Sequence, residues 1–147
     1  MTFADELANL SRIPLFAVFD QGSLNALAFR SETRVLRTGD LLFRREDVSD
    51  GGFILTAGAV ELYAREDSAP SLIVRPWTLI GEMALIVDSP RPVTAIAAEP
   101  STVLKIARPQ FLDLLARQPQ TALRVRELLC DRLNEAAQAM TSYVAAI

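Results

Sequence analysis

At 147 residues, with 50% hydrophobic and 22% charged side chains, the chain has the make-up of one folded domain rather than a disordered segment. A net charge of −3 and a pI near 5.0 argue against a nucleic-acid partner for the domain as a whole. The absence of histidine removes the usual general base and the commonest metal ligand, and with Cys130 as the single cysteine it excludes zinc sites and an internal disulfide.

In chain order, residues 3–11 read as a short helix, with Phe3, Leu7 and Leu10 at helical spacing behind Thr2 as N-cap. The opening, acidic at Asp5 and Glu6, does not read as a secretory leader. No apolar run reaches the roughly 20 residues of a membrane helix. A cytoplasmic location is expected, in keeping with the cysteine count. Pro14 breaks the path, and Leu15, Phe16 and Phe19 supply an apolar plug. Asp20-Gln21-Gly22-Ser23 reads as a turn, with Ser23 capping a second helix to about Phe29 whose apolar face is Leu24, Leu27 and Ala28.

From Arg34 the period becomes two. Val35, Leu41-Leu42-Phe43, Phe53-Ile54-Leu55 and Val60-Leu62-Ala64 read as short strands, separated by turns at Gly39-Asp40, Asp50-Gly51-Gly52 and Ala57-Gly58. Leu72-Ile73-Val74, Ala95-Ile96-Ala97 and Val103-Leu104-Lys105-Ile106 continue the series. Many short strands with glycine turns specify a roll or barrel.

Between Leu79 and Ala95 the series is interrupted by Gly81-Glu82-Met83-Ala84-Leu85 and then Pro90-Arg91-Pro92-Val93-Thr94-Ala95. Gly81 allows backbone to approach a ligand closely. Glu82 stands in the first turn of a short helix, and Arg91 follows nine positions later at the mouth of the next strand. A helix start offers unpaired N–H groups that suit phosphate. An arginine adds a planar, permanently charged fork for the same anion. A carboxylate between them can accept from a sugar hydroxyl. Phosphate plus ribose is a nucleotide.

After Arg108 the pattern is helical. Phe111, Leu112, Leu114 and Leu115 make a short helix with Pro109 in its opening turn, and a long helix runs from Gln120 to about Ala145. Leu129, Leu133, Ala136, Met140, Tyr143 and Ile147 alternate steps of four and three, a heptad seam. Two uses of it stay open: covering the domain's own β-roll, or pairing with a second copy, which is the preferred expectation. If the helix closes over a purine instead, Arg124, Arg126 or Arg132 could stack on the base.

The Gly81–Leu85 and Pro90–Ala95 pattern resembles the phosphate-binding cassette of cyclic nucleotide-binding domains, the family of the catabolite activator protein, the kinase regulatory subunits and the cyclic-nucleotide-gated channels. Pro14-Leu15-Phe16, Gly39-Asp40 and Gly58 extend the resemblance over most of the chain. It implies an α+β, mainly β fold: a β-roll or jelly roll with N-terminal helices, an inserted cassette helix and two C-terminal helices. The expected plan is a single domain over 1–147, with helices in 1–30, the roll in 31–108, its cassette at 81–95 and helices in 109–147.

The resemblance also assigns roles. Arg91 would clamp the phosphate, and Glu82 would accept the ribose 2′-hydroxyl. Gly81 and the amides of Met83, Ala84 and Leu85 would surround the phosphate, with Pro92, Val93 and Leu62 beside the ligand. An ordinary core leucine is the alternative reading of Leu62. Pro92 departs from the family, which carries alanine, serine or threonine there. Proline has no N–H to give the phosphate, nor the hydroxyl that favours cGMP in some relatives. The implied function is a regulatory sensor for cAMP, in preference to cGMP, with no other cofactor and no catalysis. With no helix-turn-helix in the sequence, output is expected to pass to a separate effector protein through movement of the last helix about Pro109 or Pro119. The alternative is a degenerate dimerisation or docking domain without nucleotide.

Overall fold

The computed structural model describes residues 3–65 and 69–146. Helices α1 (Phe3–Leu10) and α2 (Gln21–Arg30) precede strands β1 (Glu32–Leu36), β2 (Leu41–Phe43), β3 (Gly51–Ala57), β4 (Val60–Tyr63), β5 (Leu72–Val74) and β6 (Thr78–Ile80). A 3-10 turn (Glu82–Leu85) leads to β7 (Thr94–Ala97), β8 (Ser101–Ala107) and helices α3 (Arg108–Arg117) and α4 (Pro119–Ala146). The described strands form two four-stranded sheets, ordered β1-β8-β3-β6 and β2-β7-β4-β5, with antiparallel pairing throughout. This is the α+β, mainly β roll that the sequence predicts.

Alternation along β3 explains why the molecule has two apolar clusters. Phe53 and Leu55 point between the sheets, with Leu36, Phe43, Val60, Val74, Ile80, Ala95 and Val103. Ile54, on the other face, joins Leu10, Leu15, Phe16, Leu24, Leu27, Ile106 and Phe111 under the helices. A strand covered on both faces reads as an unbroken apolar run. The Phe16, Phe19 and Phe111 rings, with centroids 5.7–6.3 Å apart, tie the N-terminal plug to α3.

Several local expectations are corrected. The cap of α2 is Asp20, whose Oδ1 accepts from the Ser23 amide at 2.7 Å, while Ser23 is buried inside the helix. That bond holds the Asp20 carboxyl below its ordinary pKa. Gly51 and Gly52 do not form a turn; they are buried in β3 opposite Ala107 and Ile106, where a Cβ on Gly51 would lie 2.0 Å from the Ile106 carbonyl oxygen. Thr78-Leu79-Ile80 is a strand that the sequence pattern did not reveal, and Ala64 is exposed beyond the end of β4. Thr2, the expected cap of α1, lies outside the described residues.

The seam on α4 divides. Leu129 packs against the helical cluster, whereas Leu133 and Met140 are 70% and 69% exposed and Ala136 is exposed too. Among the described residues beyond Leu129, therefore, the seam does not cover the domain's own roll. Ile147 and the side chain of Tyr143 lie outside the described residues.

The loop between β2 and β3 carries one strained residue. Glu46 has a φ of 75°, left-handed backbone that costs a side-chain-bearing residue roughly 1–2 kcal/mol. Its amide donates to the Arg91 carbonyl at 2.8 Å, so the loop is held there by the cassette. Glu46→Gly is expected to raise stability by roughly 0.5–1 kcal/mol, the strain relieved less the extra flexibility of unfolded glycine. A urea midpoint at or below that of the wild type would contradict this.

Candidate functional site

The site is built from the 3-10 turn and the segment that returns from it to β7. Gly81 opens the turn with φ 82° and ψ 41°, backbone that favours glycine. Ala84 and Leu85 are buried, and Leu85 is seated in the helical cluster, which fixes the turn's orientation. The Ala84 amide donates to the Gly81 carbonyl at 3.1 Å. The first amides of such a turn have no partner within it. Met83 is exposed.

Arg91 lies three residues ahead of β7, not at the strand's mouth as the sequence suggested. Its backbone is held on both sides by the β2–β3 loop: the Arg91 amide donates to the Asp47 carbonyl at 2.9 Å, and the Arg91 carbonyl accepts from Glu46. The side chain turns inward and is 4% exposed. Nη2 donates to the Gly51 carbonyl at 2.7 Å. The guanidinium carbon lies 4.4 Å from the centre of the Phe43 ring and 5.5 Å from that of Phe53. Nε and Nη1 have no hydrogen-bond partner among the described residues. Burial pushes this guanidinium down from its ordinary pKa and neighbouring Arg108 adds to that, while Asp50 and Asp47 pull the other way.

Arg91 and Gly81 are in contact. A Cβ on Gly81 would lie 2.5 Å from Nη1 of Arg91, so a side chain there would displace the guanidinium, and the left-handed backbone favours glycine in any case. The sequence therefore picks out two residues that the fold does bring together. The result is a buried cation with two unused donors beside a turn whose first amides have no partner within it, an arrangement suited to an oxyanion. The residues present fit a phosphate group.

The remaining expected residues take up different positions. Glu82 is half-buried, and both its carboxylate oxygens accept from Nη1 of Arg132 on α4. Arg132 therefore reaches the acid of the cassette, while Arg124 and Arg126 are exposed. Val93 and Leu62 are half-buried and pack on the inter-sheet cluster, so both line the roll's interior. Pro92 is exposed. A groove of about 570 Å³, lined mainly by apolar side chains including Met83, Ile86, Val125 and Leu129, runs between the turn, α3 and α4.

Four contributors escaped the sequence reading: Phe43 and Phe53 beneath Arg91, the Gly51 carbonyl, and Arg108. Only the Gly51-Gly52 pair carried a signal, and it resembled a turn. Among the described residues no cluster of three or more His, Cys, Asp or Glu could hold a metal ion.

Residues 33–118 match the family model described as cyclic nucleotide-binding domain. The chain is 28% identical over 108 residues to the cyclic AMP receptor protein of Thermus thermophilus, covering 71% of this chain and 50% of that one. Among solved structures it resembles the N-terminal domain of a transcriptional regulator from Streptomyces coelicolor, with TM-score 0.81 and 28% identity over 89% of this chain and 94% of that one. It also resembles a cyclic nucleotide-binding-like protein from Brucella abortus, with TM-score 0.70 and 33% identity over 76% and 98% of the two chains. The chain spans half the length of the Thermus relative.

The geometry around Arg91 makes a prediction about stability without any ligand. Arg91→Met keeps an apolar stem over Phe43 and Phe53 and removes two buried, unpartnered donors, each costing about 1–3 kcal/mol, at the loss of the bond to Gly51. The variant is expected to unfold at the same denaturant concentration as the wild type or a higher one. A loss of more than about 1 kcal/mol would show that the guanidinium is held for the fold alone.

Proposed function

Because the chain belongs to the cyclic nucleotide-binding domain family, we propose that it binds a cyclic nucleotide monophosphate, cAMP in preference to cGMP, and relays that binding to a separate effector protein through α4. One observation carries the reading: Nε and Nη1 of Arg91 are buried and unpartnered, and Nη1 lies against Gly81 at the start of the turn. Both donors would go to phosphate oxygens, while Nη2 stays on Gly51. The leading amides of the turn, Glu82 and Met83, would take the rest of the phosphate charge, while that of Ala84 stays on the Gly81 carbonyl. Glu82 would accept the ribose 2′-hydroxyl while still paired with Arg132, which would place sugar recognition against α4.

Val93 and Leu62 would face the nucleotide from the roll. Pro92 withholds one amide from the phosphate, about 1–2 kcal/mol or roughly tenfold in affinity. It also lacks a side-chain hydroxyl, which supports cAMP over cGMP. The reading as a docking domain without nucleotide rests on Pro92 alone, and the Gly81–Arg91 contact speaks against it.

Ligand would act by population shift, limited by its differential affinity for the two positions of α4. The exposed Leu133 and Met140 support a homodimer through α4. Among the described residues no helix is long and apolar enough to cross a membrane.

Calorimetric titration of unfolded and refolded protein is expected to show binding of cAMP, weaker binding of cGMP, and none of either by Arg91→Ala. Equal silence from wild type and variant would defeat the reading. Pro92→Ala restores an amide and should tighten cAMP binding roughly tenfold; unchanged affinity would mean that residue 92 does not face the phosphate. Sedimentation should show a dimer that Leu133→Glu with Met140→Glu dissociates, and a monomeric wild type would refute the α4 pairing.

A further inference from the structure

Arg108 is the first residue of α3, and its bonds run back into the cassette. Nε donates to the Ala84 carbonyl at 2.9 Å. Nη2 donates to the carbonyl of Ser49 at 2.8 Å and to its hydroxyl at 3.1 Å. Ser49 is 2% exposed, and its own hydroxyl donates to the Ser89 carbonyl, two residues ahead of Arg91. The Arg108 amide donates to Asp50 at 2.7 Å. One guanidinium thus holds the phosphate turn directly and the return to Arg91 through a single serine, from the residue where the C-terminal helices begin.

We propose that Arg108 is a positioning residue which orients the phosphate turn and links it to α3, so that the C-terminal helices respond to occupancy of the site through this side chain. The link rests on the nucleotide reading above. A peptide group is planar and trans, so fixing the Ala84 carbonyl toward Arg108 directs the Leu85 N–H the other way. Charged donors bind carbonyls about twice as strongly as neutral ones, which makes this a firm hold on a turn of four residues. Core packing of Leu85 and Phe111 seats the same elements independently, so the fold does not need Arg108, but apolar packing does not set the plane of a peptide. The positive charge also acts at a distance: it opposes that of Arg91, and an oxyanion beside Arg91 relieves this repulsion.

The test uses the full chain with Arg108→Met, which keeps the stem, and Arg108→Lys, which keeps the charge without the fork. In the ligand-free protein, Arg108→Met is expected to speed hydrogen exchange of amides 84–91 about tenfold and leave the β3 and β8 amides unchanged. In titration it should bind cAMP about tenfold more weakly, and the two proteins are compared with each at saturation. Amide shifts of residues 81–93 should persist, while those of α3 and α4 are lost. Arg108→Lys should recover part of the affinity and little of the helix response. Arg108→Met giving the same α4 shifts as wild type at saturation would overturn the link. If the wild type binds neither cAMP nor cGMP, the nucleotide reading fails on its own account. The exchange measurement then decides the orienting role, and unchanged protection at 84–91 would end it.

Discussion

A guanidinium that is 4% exposed, with one of its three nitrogens hydrogen-bonded, is the constraint around which the roll is arranged. Arg91 cannot deprotonate to escape burial as a lysine could, so its charge has to be accommodated by its surroundings. Two phenylalanine faces, a carbonyl at the start of β3 and the distant charges of Asp50 and Asp47 do part of this. Each contribution dictates a residue elsewhere. Phe43 and Phe53 have to be aromatic on the inward face of their strands. A Cβ at Gly81 would push the guanidinium out of its place. The β2–β3 loop has to grip residue 91 on both backbone sides, and it does so at the expense of a strained Glu46.

The cassette can deliver such a residue because it lies between two cores without belonging wholly to either. Leu85 anchors the turn under the helices, and Val93 leads back into the inter-sheet cluster. Between them the chain passes around Arg91 with little regular pairing of its own. Outside the turn itself, its backbone groups are bonded to the loop at 46–49 and to Arg108. A segment held at its ends by packing and in its middle by a few polar bonds is the part of a fold best able to respond to a ligand.

How much of this could be read in advance depended on the range of the signal. The apolar run at Phe53-Ile54-Leu55, the alternation at Val60 and Leu62 and the helical pattern after Arg108 were legible because such patterns are written locally. Gly81, Glu82 and Arg91 were legible because their spacing is fixed within one loop. Asp20 lost its role as cap to Ser23 because both suit that position, and only the backbone of residue 20 decides. Thr78-Leu79-Ile80 is too short to declare a period. Gly51-Gly52 resembles a turn, although Gly51 is needed for close strand packing against Ile106 and Gly52 lies against Gly81 and Leu85. The contacts of Arg132 with Glu82 and of Arg108 with Ala84 join residues 50 and 24 positions apart, which no local pattern can specify.

The same ranges separate holding a ligand from reporting it. The Glu82–Arg132 pair is partly exposed, with the arginine side chain at 38% and the acid at 26%, so solvent screens it and its worth is at most about 1 kcal/mol. Such a contact can be shared with a sugar hydroxyl or rearranged at small cost, and it cannot by itself hold a nucleotide. Arg91 is the reverse: its donors are buried and already desolvated, so an anion that reaches them meets a cation whose own desolvation was completed on folding. On the proposed reading, affinity would reside at the buried end of the cassette, and movement at its exposed end, where α4 touches it. A ligand with a phosphate at one end and a ribose at the other would engage both.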